Sequence, residues 1–458
     1  MNVTIEKPDF YDLLKKKKYK AITAILEEGH PKEIADSFED YKPSDIWKII
    51  NYVNVLRRVE IFKYLTMDIQ VAMVSHSMRK NVMELLTEMS HDARADLFQN
   101  LDKNIADKFL LQLPIEERAD VIKLTSYNES TAGAIMTTDY AKLNKNFTVE
   151  KSIRKIRKVA PSKETIYYIY VTDDDGTLIG IVSLRKMILA RPNQKIENIM
   201  EKEFIFAHTN DDQEKIAHLI EMYDLIALPI VDESHRLAGI VTHDDAIDII
   251  REEQTEDMEK LMAISGGVES QAYLDVPAFT HFKKRASWVL ILGVLGLLTG
   301  LIVEVFQKTL ETLIILTFYM PLLNAAGGNT GSQSATVVLR ALTLKELAPR
   351  DIIRVIKKEF LISSLLSICL GAMTFFRVYF LPGSTAPSNF SLFNISLVIA
   401  ISLGLQVLWS TIFGAIVPVA ATKVKLDPAV VSSPLLTTCV DMGGIVIYFT
   451  TARIILGI

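Results

Sequence analysis

After Arg285 the sequence changes character, and that change constrains the fold more than any other feature. Five apolar blocks follow, near positions 287–306, 313–339, 360–381, 392–421 and 429–458. A helix needs about 20 apolar residues to cross the hydrocarbon core of a bilayer. Buried helices of a large soluble protein are a poor alternative, because five such blocks leave too little polar surface to cover them. Pro321 and Pro418 interrupt the second and fourth blocks, where a kink or break is expected.

Basic residues set the expected orientation. Lys283, Lys284 and Arg285 precede the first block. Arg340, Lys345, Arg350, Arg354, Lys357 and Lys358 lie between the second and third, and Lys423 and Lys425 between the fourth and fifth. The connection at 382–391 carries no charge. The pattern places the N-terminal part and those two connections in the cytoplasm and the C-terminus outside, in a multi-pass protein of the cell membrane. The first ten residues lack a basic region followed by an apolar run, so no secretory signal is expected there. Cys369 and Cys439 both fall in apolar blocks, which predicts packed thiols rather than a disulfide framework. A net charge of -5 without a basic stripe argues against nucleic acid as a partner.

Two features stand out inside the apolar blocks. Asp441 sits in the fifth, about 18 Å along it at 1.5 Å per residue, close to the midplane. An ionisable group at that depth normally faces a partner or a water-filled path, and no basic residue occupies mid-depth in any block. Glu304 and Arg377 lie near block ends, where they can snorkel. The second block carries a dense polar, glycine-rich run from Pro321 to Ser334. Such a run allows close helix packing, or supplies neutral oxygens beside a carboxylate. Hard oxygen ligands suit Mg²⁺, Ca²⁺ or Mn²⁺. One carboxylate per chain is thin for a divalent ion, and a homodimer with its pore on the two-fold axis would supply two.

The charged part contains a repeat. The segment 170–183 parallels 229–242 at an offset of 59 residues, and the Ile-Met pairs 135–136 and 199–200 precede the copies. Each copy reads as strand, turn, strand, then a helix capped by Ser183 or Thr242. This unit resembles a tandem cystathionine-β-synthase-type (CBS) pair, a sensor module. The resemblance implies adenosine-nucleotide binding, partly through an acidic residue early in the last helix. The second copy has Asp245 there and the first has Lys186. Tyr168 and Arg185 are the candidate nucleotide contacts, with ATP as the candidate ligand.

Before residue 130 the helical periodicity breaks at short intervals, which predicts a superhelical stack of helices. Asp92 and Asp96 share one helix face at i, i+4, and an ordinary solvated face is the simplest reading of that pair. Positions 241–260 hold eight carboxylates against Arg251 and Lys260. That excess repels acidic neighbours unless a cation intervenes, so a divalent ion could clamp domains together there.

The order of helical domain, CBS pair, acidic connecting helix and five spans resembles the MgtE magnesium-channel family over essentially the whole chain. The sharpest matches are 327–336 in the second block and 426–429 through Asp441 before and within the fifth. The resemblance implies a homodimeric Mg²⁺ channel, closed by cytosolic Mg²⁺. By motif position Asp441 is the selectivity residue, with Asn329, Ala325 and Thr437 lining the pore and Asp427 at its cytoplasmic mouth. The implied regulatory ligands are Asp92, Asp96, Glu214, Asp224, Asp245, Asp248, Glu253, Glu256 and Asp257. A carrier that couples Mg²⁺ to Na⁺ or H⁺ is the alternative. An enzyme is not expected, because the chain has neither a His-Glu-x-x-His zinc signature nor a Walker-type phosphate loop. The expected domains are a helical superhelix at 1–130, tandem α/β CBS domains at 131–250, a long connecting helix at 251–278 and a five-helix transmembrane bundle at 279–458.

Overall fold

The computed structural model describes residues 9–76, 79–267, 273–274, 276–381, 390–424 and 433–457. The chain divides into two units, Met1–Glu253 and Gln254–Ile458.

Ten helices occupy the described residues between Phe10 and Leu124, among them α1 (His91–Asn100). Local chemistry keeps them short. Pro31 and Pro43 open helices where a missing N–H is free, since first-turn donors lack helical partners anyway. Asn54 and Asp102 accept from the N–H groups of Arg57 and Asn104, both at 2.9 Å, and so fix two further starts. None of these helices can bury its apolar face alone. They share one core that includes Phe10, Phe38, Trp47, Phe62 and Leu86. The Trp47 indole donates to the Met73 carbonyl at 2.9 Å, which ties non-adjacent helices together.

The repeat folds as two three-stranded sheets. The first holds β1 (Tyr140–Asn144), β2 (Thr165–Thr172) and β3 (Leu178–Ser183), and the second β4 (Ala207–His208), β5 (Ala227–Val231) and β6 (Leu237–Thr242). In each, the first strand runs parallel and the third antiparallel to the middle one. Tyr168 faces Ser183 and Val171 faces Gly180, while Ala227 faces Thr242 and Ile230 faces Gly239, so the 59-residue offset carries into the register. The Ile-Met pairs acquire a physical role here. A Cβ on Gly180 would meet the Met200 sulfur at 2.8 Å, and one on Gly239 would meet the Met136 sulfur at 2.6 Å. Each methionine therefore packs on the bare backbone of a glycine strand. The helices that follow are α2 (Leu184–Leu189), α3 (Gln213–Met222) and α4 (His243–Leu261).

α4 continues the acidic run but ends sooner than the expected connecting helix. Ala263 has a left-handed φ of 58°, its N–H bonds to the Lys260 carbonyl at 3.0 Å, and the Ile264 N–H bonds to the Glu259 carbonyl at 2.9 Å. That pair of bonds is a Schellman termination with alanine in the position where glycine is usual.

Long helices dominate the second unit: α5 (Ala278–Val305), α6 (Met320–Thr343), α7 (Ile352–Phe380), α8 (Leu392–Lys423) and α9 (Ser433–Leu456). Among the described residues, four helices are long and apolar enough to cross a membrane, at 278–305, 349–380, 392–423 and 434–456. α6 is not one of them. A short helix, Gln307–Thr312, precedes the second apolar block, which begins as a 3-10 stretch, Ile314–Tyr319, and continues as α6, which Pro321 opens rather than kinks. The polar run fills the first half of α6 and lowers its apolar character. Pro418 lies inside a continuous α8. Its ring leaves the carbonyl one turn back, on Gly414, without a helical donor, a loss that membrane helices absorb through neighbouring helices and side chains.

Candidate ion-binding sites

α6 has no free face except one. On the side of α9, a Cβ on Gly328 would meet the Thr437 methyl at 2.9 Å, and the Ser332 and Thr437 hydroxyls lie 3.3 Å apart. Toward α8, the Thr330 and Ser410 hydroxyls are 2.7 Å apart, and Gly331 packs directly on Gly414. Toward α7, the Ser334 hydroxyl donates to Glu359 at 2.9 Å. Ala325, Asn329, Gln333 and Thr336 follow one another at helical spacing and are exposed. An exposed stripe that is mostly polar, on a helix among apolar helices, suits water or a partner subunit rather than lipid.

Asp441 borders this stripe. It stands one turn beyond Thr437 on α9, the residue that touches Ser332. One of its carboxylate oxygens is buried with no hydrogen-bond partner among the described residues. A carboxylate left this way needs a cation or water to complete it. Of the sequence-derived residues, Ala325 and Asn329 lie on the exposed face of α6, and Thr437 and Asp441 stand one turn apart on α9. Asp427 lies outside the described residues.

Two polar side chains here escaped the sequence reading. Glu359 is buried in α7 against Ser334. Gln406 is fully buried in α8, and its amide fills the space left by Gly327 of α6 and Gly444 of α9. The signal for Gln406 was available, as a lone amide in the middle of an apolar block. Glu359 immediately precedes the third block, and a linear scan cannot show that it turns inward.

In the first unit, α1 lays its Ala95 into the hydrophobic core of the second CBS copy, beside Ala132, Ala217, Leu228 and Ala246. This packing carries Asp92 and Asp96, which flank Ala95, toward Asp245 on the first turn of α4. Further contacts pin the same junction. Lys123 donates to the Ala238 carbonyl at 3.2 Å, and His91 lies 3.4 Å from Asp120, 3.6 Å from Asp139 and against the Thr138 hydroxyl.

The result is a crowd of like charges. Loss of hydration raises the pKa of Asp245 to about 7; Asp92 and Asp244 add to the rise and a hydrogen bond from Thr242 opposes it. Surrounding protein, then Asp92 and Glu252, raise that of Asp96 to about 7. Asp96 still meets solvent, so its repulsion is partly screened. One Asp92 oxygen is buried without a hydrogen-bond partner among the described residues. Arg94 is buried nearby, and that burial lowers its pKa against the pull of Glu117, Asp139, Asp120 and Asp92.

The remaining candidates are dispersed. Glu214 opens α3, and Glu253 accepts from Gln213 at 2.7 Å. Asp224, with Glu221 and His243, lines a cavity of about 440 Å³ between α3 and α4. Asp248 is exposed, 3.4 Å from Arg251. Further along α4, Glu256 pairs with Lys260 at 2.9 Å, and Asp257 follows it. Among the described residues no three His, Cys, Asp or Glu groups converge closely enough to hold a bare metal ion. Of the candidate nucleotide contacts, Tyr168 is half-buried on β2 and Arg185 is exposed on α2.

Comparison with known proteins gives a consistent picture. Residues 320–451 match the MgtE family, described as a divalent cation transporter; residues 29–130 match the MgtE intracellular N domain; and 132–193 and 196–252 match the CBS domain. The chain is 34% identical over 446 residues to the magnesium transporter MgtE of Thermus thermophilus, covering 95% of each protein. It is 30% identical over 440 residues to the magnesium transporter MgtE of Bacillus subtilis, covering 96% of this chain and 95% of that one. A crystal structure of the cytosolic domain of the Mg²⁺ channel MgtE in complex with ATP aligns with a TM-score of 0.50 at 33% identity, over 52% of this chain and 98% of that one.

Proposed function

The chain belongs to the MgtE family of divalent cation transporters, and from that premise we propose that it is a Mg²⁺ channel of the cell membrane, closed by cytosolic Mg²⁺. The observation that carries the reading is Asp441, a carboxylate with an unpartnered buried oxygen beside the polar stripe of α6.

In this reading α6 also spans the membrane, which brings the count to five. Its 24 residues make a helix about 36 Å long, enough to cross the hydrocarbon core. Two copies meet across a two-fold axis on the exposed stripe, so each supplies one Asp441. Mg²⁺ gives up its waters reluctantly. The two carboxylates attract the hydrated ion, while Asn329, Thr437 and the backbone at Ala325 accept hydrogen bonds from its water shell. Asp427 draws cations toward the cytoplasmic mouth.

The first unit is the cytoplasmic sensor, with domains at 1–130 and 131–250 followed by the acidic helix. Its residues fit a cation. Asp92 repels both Asp96 and Asp245 at a packed junction, and an ion there relieves that repulsion. With no bare-metal cage among the described residues, the ions are held with part of their hydration, by those three residues and by Glu214, Asp224, Asp248, Glu253, Glu256 and Asp257. Losing them loosens the junction and releases the closed state. The relative solved with ATP supports ATP as a ligand of the CBS pair, near Tyr168 and Arg185.

The test is Mg²⁺ flux through the full chain in proteoliposomes. Wild type should conduct in single-channel steps without a counter-ion gradient, and Asp441→Ala should lower flux by about 100-fold or more while the dimer stays folded. Near-normal flux in that variant removes Asp441 from the pore, and strict dependence on a Na⁺ or H⁺ gradient makes the protein a carrier.

A further inference from the structure

Glu359 is the second acidic residue enclosed by the long helices, and the proposed transport reading does not use it. It is 8% exposed, and its carboxylate accepts from the Ser334 hydroxyl at 2.9 Å. Among the described residues no Lys, Arg or His nitrogen lies within 4 Å of it. Burying a carboxylate against one neutral donor is costly, and in a membrane helix such a residue marks a function unless it is paired.

The direction of the contact indicates the function. At 100° per residue, Ser334 lies about 180° around α6 from Ala325, about 160° from Thr336 and about 140° from Asn329. Gln333, the fourth residue of the stripe, lies about 100° away, so Glu359 grips α6 from the side turned away from most of the stripe. The grip is sealed one turn further along both helices, where Val338 and Val355 pack with Ala415 and Val419. The other polar contacts of α6 are pairs of hydroxyls and glycine backbones, one of them covered by the Gln406 amide. Hydroxyl pairs exchange partners easily, and glycine contacts let a helix rotate or slide. The Ser334–Glu359 bond is a directional contact between two buried side chains on different helices, which makes it a restraint on α6 rotation.

We propose that Glu359 is a positioning residue for ion selection: by holding Ser334 it fixes the rotation of α6, and so the distance of Asn329 and Ala325 from Asp441. A few degrees of rotation would change the width offered to a hydrated ion. The proposal rests on the pore reading given above.

The test compares Glu359→Gln, Glu359→Leu and Ser334→Ala in the full chain in proteoliposomes, with Asp441→Ala alongside. For each, the half-saturating Mg²⁺ concentration, the maximal flux, the Mg²⁺ to Co²⁺ flux ratio and the amount of folded dimer are measured. The Gln variant keeps an acceptor of the same size, and it should stay within about threefold of wild type in half-saturation and flux ratio. Leu and Ala should raise half-saturation by about tenfold and lower the flux ratio by a similar factor, even after correction for folded protein. A purely structural residue would lower the amount of folded dimer and the maximal flux but leave half-saturation and flux ratio alone, and that result overturns the proposal. So does a Gln variant as defective as Leu, since charge rather than the hydrogen bond would then matter. If Ser334→Ala behaves as wild type, the grip is not the Ser334 bond and the proposal also fails. Asp441→Ala separates the two levels: loss of flux there with wild-type behaviour in the Glu359 variants defeats this inference alone, whereas normal flux in Asp441→Ala defeats the pore reading beneath it.

Discussion

Asp245 in the soluble unit and Asp441 in the membrane unit are both aspartates on long helices, yet their surroundings differ in kind. Asp245 stands among other acids; burial raises its pKa, and Asp92 and Asp244 raise it further. Asp441 stands among hydroxyls and glycines, with Thr437 one turn away and Gly443 and Gly444 following it. A crowd of carboxylates stores repulsion, so its packing depends on whether a cation is present. A lone carboxylate in a neutral polar setting stores none, and its ion can leave without rearranging the helices around it. Under the proposed function the contrast separates two uses of the same side chain: sensing where acids are forced together, and passage where one acid is kept apart.

The largest effect should come from the isolated acid. Asp441→Ala should remove flux by the factor given above but leave Mg²⁺-dependent protection of the soluble unit from protease unchanged. If protection is lost as well, the two acids do not act separately and the contrast breaks.

Next, neutralising part of the crowd should do the reverse. With Asp245→Asn, Asp248→Asn, Glu256→Gln and Asp257→Asn combined, flux should persist at Mg²⁺ levels that close the wild type, about tenfold above it. Protease protection by Mg²⁺ should disappear. Protection that survives all four substitutions would show that the sensor lies elsewhere.

A smaller effect sharpens the comparison through pH. Asp96 and Asp245 have pKa values raised to about 7. A raised carboxylate favours the packed state fully below its unfolded pKa, near 4, and that contribution is lost as pH rises through about 7. Without Mg²⁺, wild type should therefore unfold at a temperature a few degrees higher at about pH 6 than at about pH 8, relative to the Asp96→Asn, Asp245→Asn double variant. With Mg²⁺, protons compete for the same oxygens, so apparent Mg²⁺ affinity should fall as pH falls. Thermal melts and Mg²⁺ titrations at the two pH values read both. A wild type and double variant with parallel pH profiles would deny that burial and the neighbouring acids raise these two carboxylates.

Much of this was legible in the sequence because it is written in local chemistry. The CBS repeat shows its register through the Ser183 cap, whose hydroxyl accepts from the Lys186 N–H, and through Gly180 and Gly239. Asp441 stands out because hydropathy makes any ionisable residue in an apolar block conspicuous. What was not legible depends on tertiary geometry or on an unusual local choice. The early end of α4 rests on Ala263 in a left-handed conformation, where a sequence reader looks for glycine. Pro418 signals a break but sits in an unbroken helix, beside the Gly331–Gly414 contact that holds α8 close to α6. Asp92 and Asp96 look like a solvated pair until Ala95 between them is found in another domain's core. Glu359 stands at a block boundary, and only the antiparallel register of α6 and α7, Ser334 on Glu359 and Val338 on Val355, turns it inward.

The most direct test is anomalous scattering from crystals of the full chain grown with Mn²⁺ as a heavier stand-in for Mg²⁺. The account predicts a peak on the two-fold axis between a pair of Asp441 side chains, absent from Asp441→Ala crystals that keep their peaks at the acidic junction of the soluble unit. Two Asp441 side chains turned toward lipid, or a pore peak that persists without them, would contradict it.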